Sequence, residues 1–384
     1  MDTISVVGMD LHRDFSKVAL MNKDGKVLET RNILHDSHKD MAEFFDELED
    51  GTDVVMEAGF NWPWVADLAK EAGLKPHLGH AIRCRELAKG MAKNDRKDAI
   101  FLGKLWLAGG DVFPESYLAP QKVRVMRAKF RTRSLLVKIR SQMKNSIHGI
   151  LHKYGVKCDE ATDLYGKKGK KILEKLDLPA HAREEMDRKL AFLEDLGKHI
   201  ESIEKQLQSE LPQDKRAGLL QTIPGVGRII AYGMLAEIGE IQRFPDRRAL
   251  AAYAGVLPLD NMSAGEDHGK HTNNRCNKAL RWMALEAVRG AVRGSWRMRS
   301  LFERVKAKHP STPGKAVIAV ARELLEISHL ILTRGVPYME NPPPRPGSVQ
   351  TKESCHSELL GTSGSRRASQ MGRCAAPERV QAEK

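Results

Sequence analysis

Cysteine is scarce in this chain, and long apolar runs are missing from it. Only five of the 384 residues are cysteine, with no C-x-x-C pair and no Cys/His cluster at zinc-ligand spacing, which argues against a disulfide framework or a zinc finger. No apolar run is long enough to cross a bilayer. The first residues, MDTISVVGMD, lack the basic and apolar regions of a signal peptide. The sequence therefore predicts a soluble, cytoplasmic protein.

Acidic residues are missing from one long basic segment. No Asp or Glu occurs between Ser116 and Cys158, in a chain whose net charge is +13 and whose pI is about 9.4. A solvated helix face usually mixes both signs of charge, so this run favours contact with a nucleic-acid backbone and predicts salt-sensitive binding. The residues expected to contact nucleic acid here are Arg124, Arg127, Arg131 and Lys138.

The pattern of apolar residues divides the chain into segments. The N-terminal part reads as strand, hairpin, strand, helix and strand, the order of a mixed α/β layer. Two long runs of helical period follow, typical of a helical hairpin or coiled-coil arm that either dimerises or pairs within one chain. We assign 1–115 to an α/β domain, 116–211 to a basic helix and arm, 212–335 to a mainly α domain, and 336–384 to a disordered tail.

Four carboxylates lie where the predicted elements begin or end. Asp10 ends the first strand and Glu57 ends the strand DVVMEAG, while Asp95 and Asp98 open a helix in KNDRKDA. If the two strands are neighbours, all four side chains can reach one cleft, where they would repel one another unless cations neutralise them. Two Mg²⁺ ions are the usual clamp for phosphodiester chemistry. The alternative is a set of ordinary caps and a helix face of mixed charge.

Two motifs in the C-terminal segment point to phosphate chemistry. The stretch IPGVG before an apolar helix is typical of a helix-hairpin-helix, in which Gly225 and Gly227 let backbone N–H groups approach a phosphate. A plain packing turn is the alternative. Ser263 lies in a polar, glycine-containing loop and is a nucleophile only if a metal or a base activates it. Lys270 and Arg275 follow as cations for phosphate.

An aromatic cluster, GFNWPW, follows the strand that carries Glu57. We expect Phe60, Trp62 and Trp64 to pack at the start of a helix rather than to stack on bases. Asn61 is the predicted cap of that helix, since a proline in the next turn suits a helix start.

Together these motifs resemble the DEDD transposases of bacterial insertion sequences, of the IS110 type that is related to the pilin invertase Piv. The resemblance runs from Ile4 to about Leu332 and rests on GMDLH, MEAG, KNDRKDA, PGVG and YAGVLP. It implies a RuvC-like, RNase H-type N-terminal domain whose acids, D, E, D and D, bind Mg²⁺. These acids correspond to Asp10, Glu57, Asp95 and Asp98.

The resemblance also implies a second reactive group and further partners. Ser263, five residues after the proline of YAGVLP, takes the place of a serine that attacks DNA and forms a covalent phosphoserine. The two domains would build a composite site in a homodimer or homotetramer. A structured guide RNA encoded by the element would pair donor and target DNA, and the protein would be associated with the bacterial nucleoid.

Three functions are compatible with these residues. The first is a transposase or recombinase that cuts and rejoins DNA. The second is a metal-dependent endonuclease of the Holliday-junction type, which would use water as its nucleophile. The third is a nucleic-acid-binding protein without catalysis. The complete acid set argues against the third and the second domain argues against the endonuclease, so the sequence predicts a transposase.

Overall fold

A computed structural model describes residues 3–90, 94–109, 112–158, 161–210, 214–263, 266–272 and 275–340. From 259 to 272 only the backbone is described. None of the helices in these ranges combines the length and the apolar character needed to cross a bilayer.

The N-terminal unit is built on a five-stranded mixed sheet. Its strands are β1 (Val6–Leu11), β2 (Phe15–Met21), β3 (Val27–Leu34), β4 (Asp53–Glu57) and β5 (Lys75–Gly79). Their order in the sheet is β3-β2-β1-β4-β5, with β1 antiparallel to β2 and parallel to β4. This mixed α/β layer is the predicted one, and it is compatible with a RuvC-like fold.

Helices cover both faces of the sheet. They are α1 (His38–Asp46), α2 (Trp62–Glu71), α3 (Ala81–Leu87) and α4 (Asp95–Leu107). Helix α1 was missing from the predicted order, although Met41, Phe44, Phe45 and Leu48 have the spacing of one helix face and are all buried. These residues pack with α2 on one face of the sheet, while α3 and α4 cover the other face.

Helix α4 lies directly on β1 because two glycines meet there. A Cβ atom on Gly8 would lie 2.1 Å from the carbonyl oxygen of Ala99, and one on Gly103 would lie 1.9 Å from Cε of Met21. Both distances are far below van der Waals contact, so a larger residue would push the helix away from the strand. The close approach holds the start of α4 beside the end of β1.

An arm of helices joins the two halves of the chain. It contains α5 (Gln121–Lys153), α6 (Lys167–Lys175) and α7 (Ala180–Glu210). Arg133, in the first half of α5, pairs with Glu204 near the end of α7, and the Tyr154 hydroxyl contacts His181 Nε2 at 2.7 Å at the other end. The two long helices are therefore an antiparallel pair within one chain, whereas a coiled coil between chains stays a prediction.

The C-terminal unit is mainly helical, as predicted. Its elements are α8 (Lys215–Gln221), α9 (Arg228–Ile238), a 3-10 turn (Ile241–Arg243), α10 (Arg247–Tyr253), β6 (Pro258–Ser263), β7 (Glu266–Thr272), α11 (Lys278–Gly294), α12 (Trp296–Lys308) and α13 (Gly314–Arg334). The segment expected as a loop around Ser263 has the backbone of a β6–β7 hairpin.

The folded chain continues beyond the predicted end of this domain. The backbone N–H of Tyr338 donates to Thr222 Oγ1 at 2.8 Å, and Glu340 accepts hydrogen bonds from the hydroxyl of Ser295 and the backbone of Arg297. Residues 336–340, which we assigned to the tail, thus pack on the C-terminal unit. The rest of the predicted tail, 341–384, lies outside the described residues.

Candidate active site

Three of the four predicted acids line one cavity at the end of the sheet where β1 and β4 terminate. Strands β1 and β4 are parallel and in register at Met9 and Met56, so Asp10 and Glu57 both leave the same end of the sheet. Asp98, in the first turn of α4, faces them across a cavity of about 590 Å³. The remaining acid, Asp95, contacts the same group of residues through His12.

His12 is a member of this site that the sequence analysis missed. Its Nε2 lies 3.1 Å from Oδ2 of Asp10 and 3.5 Å from Oδ2 of Asp95. One atom from each of these three residues lies within 4.8 Å of the others, so they are able to share one metal ion. The available signal was the D-x-H spacing, since residues two apart in an extended chain point to the same side.

The cap of α4 positions its two acids. The side-chain oxygen of Asn94 accepts a hydrogen bond from the backbone N–H of Arg96 at 3.0 Å, which starts the helix at Asp95. Asp95 and Asp98 then lie in the first helical turn, where the helix dipole favours negative charge. The neighbouring Lys93 lies outside the described residues.

Asn61 connects the loop after β4 to the first strand. It occupies the predicted N-cap position of α2, but its side chain makes no capping hydrogen bond. Instead, its Nδ2 donates to the backbone carbonyl of His12 at 2.5 Å. The loops that follow Asp10 and Glu57 are therefore tied together.

The acids lie where their ionised forms are costly. Burial raises the pKa of Asp10, the charges of Asp98 and Asp95 raise it further, and the neighbouring His12 opposes the rise. Burial also raises the pKa of Glu57, against the opposing charge of Arg85. A divalent cation bound among these carboxylates would relieve both effects, so the residues present fit such an ion.

Two cations, one in α3 and one just after it, complete the cavity wall, and the C-terminal unit contacts α3. Arg85 and Lys89 line the cavity together with the acids. Glu86, next to Arg85 in α3, forms an ion pair with Arg275 at 2.5 Å. Arg275 follows the β6–β7 hairpin, in which Ser263 is the last residue of β6 and Lys270 lies in β7.

Three of the predicted nucleic-acid contacts have partners within the protein. Arg124 pairs with Asp67 of α2. Arg127 donates to the backbone of α9, including the Glu237 carbonyl at 3.0 Å, and Arg131 pairs with the Glu237 carboxylate. These arginines join α5 to the domains on either side, and their contact with phosphate stays a prediction.

Lys138 differs from those three arginines in its position on α5. It lies farther along the helix, in the part that packs against α7, and is exposed. Helix α6, with the sequence KKGKKILEK, adds further basic residues to the same arm. The arm therefore carries exposed basic residues on both α5 and α6.

The two glycines of IPGVG have different surroundings. Gly225 has a φ of +87°, and a Cβ atom there would lie 2.3 Å from the carbonyl oxygen of Ala287 in α11. Position 225 therefore requires glycine for packing against α11. This agrees with the packing turn that the sequence analysis gave as the alternative to a phosphate-binding hairpin. Gly227 is the N-cap residue of α9, and a Cβ atom there would meet nothing within 4 Å.

Two family models match most of the regions described above. The model of the IS110-type DEDD transposases matches residues 7–156, which include all four acids. The model of the transposase IS116/IS110/IS902 family matches residues 217–303, which include IPGVG and the β6–β7 hairpin.

Several curated proteins are similar to the chain. A probable family 20 transposase of Pseudomonas aeruginosa is 25% identical over 299 residues, 76% of this chain and 85% of that protein. The transposase for insertion sequence element IS1111A of Coxiella burnetii is 24% identical over 351 residues, 88% of this chain and 92% of the relative. A pilin gene-inverting protein of Moraxella bovis is 28% identical over 124 residues, 32% of this chain and 38% of its own length.

Proposed function

We propose that this chain, which belongs to the DEDD transposases of the IS110 type and is a DNA transposase or recombinase, cuts and rejoins DNA at the cavity lined by Asp10, Glu57 and Asp98. The observation that supports this assignment is the position of these carboxylates, together with Asp95, at one end of β1, β4 and α4. Acids that have raised pKa values and lie beside cations are suited to bind metal ions and a polyanion together.

The proposed cofactor is Mg²⁺, as two ions held by Asp10, Glu57, Asp95 and Asp98. Their carboxylate oxygens are the ligands that Mg²⁺ prefers. When bound, the ions would polarise the scissile phosphodiester and stabilise the charge that develops on its oxygens. Arg85 and Lys89, on the same cavity wall, would bind the neighbouring phosphates.

The proposed nucleophile is the hydroxyl of Ser263. In the proposed step, a bond forms between Oγ and phosphorus while the bond between phosphorus and a deoxyribose oxygen breaks. The serine proton passes to a carboxylate or to water, and the leaving oxygen takes up a proton. Support comes from the contact between Arg275 and Glu86, which joins the end of the hairpin segment to the helix that carries Arg85.

The proposed partners are the DNA of the element ends and target, and a structured guide RNA. The acid-free helix α5 and the basic helix α6 supply the positive charge that such partners need. We propose a homodimer or homotetramer as the active form, because DNA exchange requires two pairs of ends to be held at once. The phosphate contact of the IPGVG turn is proposed for Gly227, at the open N-terminus of α9.

A covalent trapping experiment tests the nucleophile. The chain, Mg²⁺, element-end DNA and element RNA are incubated, and denaturing gels are used to detect DNA that remains attached to protein. We expect the adduct to disappear in Ser263→Ala and to persist in Ser311→Ala, an exposed serine outside the site. Normal strand exchange by Ser263→Ala would disprove the serine assignment.

The same experiment distinguishes the second candidate function. If Ser263→Ala cleaves branched DNA at the wild-type rate and no adduct forms with either protein, the chain acts as an endonuclease that uses water. Asp10→Asn should abolish cleavage in both cases and retain DNA binding, since the carboxylate is needed only for the metal-dependent step. Loss of binding together with cleavage would indicate a structural role for Asp10.

A further inference from the structure

One aromatic side chain beside the acids has no partner within the part of the chain that the structure describes. The relative exposure of Phe60 is 102%, although we expected it to pack with its two neighbours. That expectation is correct for the neighbours only. Trp64 stacks on His38 with ring centroids 4.6 Å apart, and the Trp62 ring lies 5.2 Å from the guanidinium carbon of Arg124. For Phe60 it is wrong.

The backbone around Phe60 is fixed on both sides. Before it, the N–H of Ala58 donates to the carbonyl of Gly79 at 3.0 Å. After it, Asn61 donates to the carbonyl of His12 at 2.5 Å and opens α2. The ring is thus held out into solvent by an ordered turn, and little backbone entropy is lost when a ligand packs on it.

The position of Phe60 limits what its ligand can be. It is three residues from Glu57, so the two Cα atoms are at most about 10 Å apart. This corresponds to about three base steps at roughly 3.4 Å each. A DNA strand whose phosphate lies at the acids would therefore have its nearest bases within reach of the ring.

The surroundings favour a base over an apolar protein surface. Glu57, three residues before Phe60, lines the cavity together with Asp10, His12 and Arg85, so the cavity close to this turn carries several charged or ionisable groups. An apolar protein patch placed on Phe60 would have to cover these groups without hydrogen-bonding them. A nucleotide suits both the apolar ring and the charged groups near it. Its base stacks on the ring while its phosphates face cations and metal ions.

We propose that Phe60 is a stacking platform for an unpaired nucleobase next to the scissile phosphate. Within a duplex the neighbouring bases cover each base face, so the base that stacks on Phe60 is unpaired or turned out of the helix. The inference rests on the proposed function, since it takes the acids as the place of DNA cleavage.

The test uses 2-aminopurine, a base whose fluorescence reports stacking, placed at each of the three positions on either side of the cleavage site. Ser263→Ala serves as the background, so that DNA binds with Mg²⁺ and is not consumed. In this background Phe60→Ala should abolish the fluorescence change at one position and weaken binding about tenfold. Phe60→Trp should restore both, and Phe60→Leu should not. Phe192→Ala, an exposed phenylalanine of the arm, is the matched control.

The other outcomes overturn the proposal. An unchanged fluorescence signal in Phe60→Ala, or full rescue by Phe60→Leu, would show that no base stacks there. If Phe60→Ala changes only the oligomeric state measured by light scattering, the ring contacts a second copy of the chain. If Ser263→Ala in its otherwise native sequence binds no element DNA at all, the proposed function itself fails, and the two failures are thereby distinguished.

Discussion

The guanidinium of Arg131 donates two hydrogen bonds, 2.8 and 2.9 Å long, to the two carboxylate oxygens of Glu237, a side chain with no exposed surface. Asn277 donates to the same carboxylate at 2.7 Å and to the hydroxyl of Tyr253 at 3.0 Å. Tyr253 and Asn277 flank the β6–β7 hairpin. One buried acid thus connects α5 to both ends of the segment that carries the proposed nucleophile.

Removal of the Glu237 carboxylate should destabilise the protein strongly. Glu237→Ala leaves the donors of Arg131 and Asn277 without their acceptor, and breaking a buried ion pair costs about 3–5 kcal/mol. Because Arg131 is 58% exposed, water replaces part of the loss and we expect a value near the lower end. Urea unfolding measures it. Glu240→Ala, an exposed acid of the same region, should change the free energy of unfolding by less than about 0.5 kcal/mol; equal effects would contradict the assignment.

The two glycines of IPGVG should respond differently to alanine. Gly225→Ala forces a side chain into a positive φ and against the backbone of α11, at a cost of about 2 kcal/mol or more. Gly227→Ala should cost about 1 kcal/mol or less, since its surroundings are open. Thermal unfolding measures both. If Gly227→Ala also weakens DNA binding while the protein remains folded, the proposed phosphate contact at the start of α9 is supported.

In the metal-free protein, the contribution of Asp10 and Glu57 to stability should fall as the pH rises. The pKa values of Asp10 and Glu57 are raised in the folded state, so the folded protein binds their protons more tightly than the unfolded chain does. Their stabilising contribution is complete below the unfolded-chain values of about 4 and is lost as the pH passes the folded-state values. In EDTA at neutral pH, Asp10→Asn should therefore raise the melting temperature, by roughly 2 °C for about 1 kcal/mol. A lower melting temperature would contradict this.

Divalent cations should stabilise the wild-type protein by neutralising the carboxylates of the cavity. At one hundred times its dissociation constant, an ion that binds only the folded protein stabilises it by about 2.7 kcal/mol. Mg²⁺ should therefore raise the melting temperature of the wild type but not that of Asp10→Asn. His12→Ala should weaken Mn²⁺ binding more than Mg²⁺ binding, because an imidazole nitrogen suits transition metals better. Isothermal titration calorimetry with each metal ion measures this difference. His309→Ala, which removes an exposed histidine outside the site, is the control.

The salt dependence of DNA binding should distinguish the cations of α5. If Lys138 contacts a phosphate, Lys138→Ala should reduce the slope of log K against log salt concentration by about 0.9. Arg124→Ala should instead lower stability through loss of its pairing with Asp67, with a smaller change in slope. Identical slopes for wild type and Lys138→Ala would remove this residue from the nucleic-acid surface.

The sequence predicted what local pattern controls. The predicted strand ends placed Asp10 and Glu57 at the same end of the sheet, and the period of the apolar residues predicted the long helices of the arm. Helix α1 was not predicted, although Met41, Phe44 and Phe45 show the period of one helix face. The role of Arg131 could not be derived from charge alone, since its partner Glu237 lies 106 residues away in the chain. The turn that exposes Phe60 depends on Asn61 bonding to His12, which is also a long-range contact.

The contact between α4 and β1 has a consequence for how freely this protein can change over evolutionary time. The separation of Asp10 from the acids of α4 depends on backbone resting on backbone at Gly8 and on the room that Gly103 leaves for the Met21 side chain. The spacing of the candidate acids is thus sensitive to any larger residue at Gly8 or Gly103.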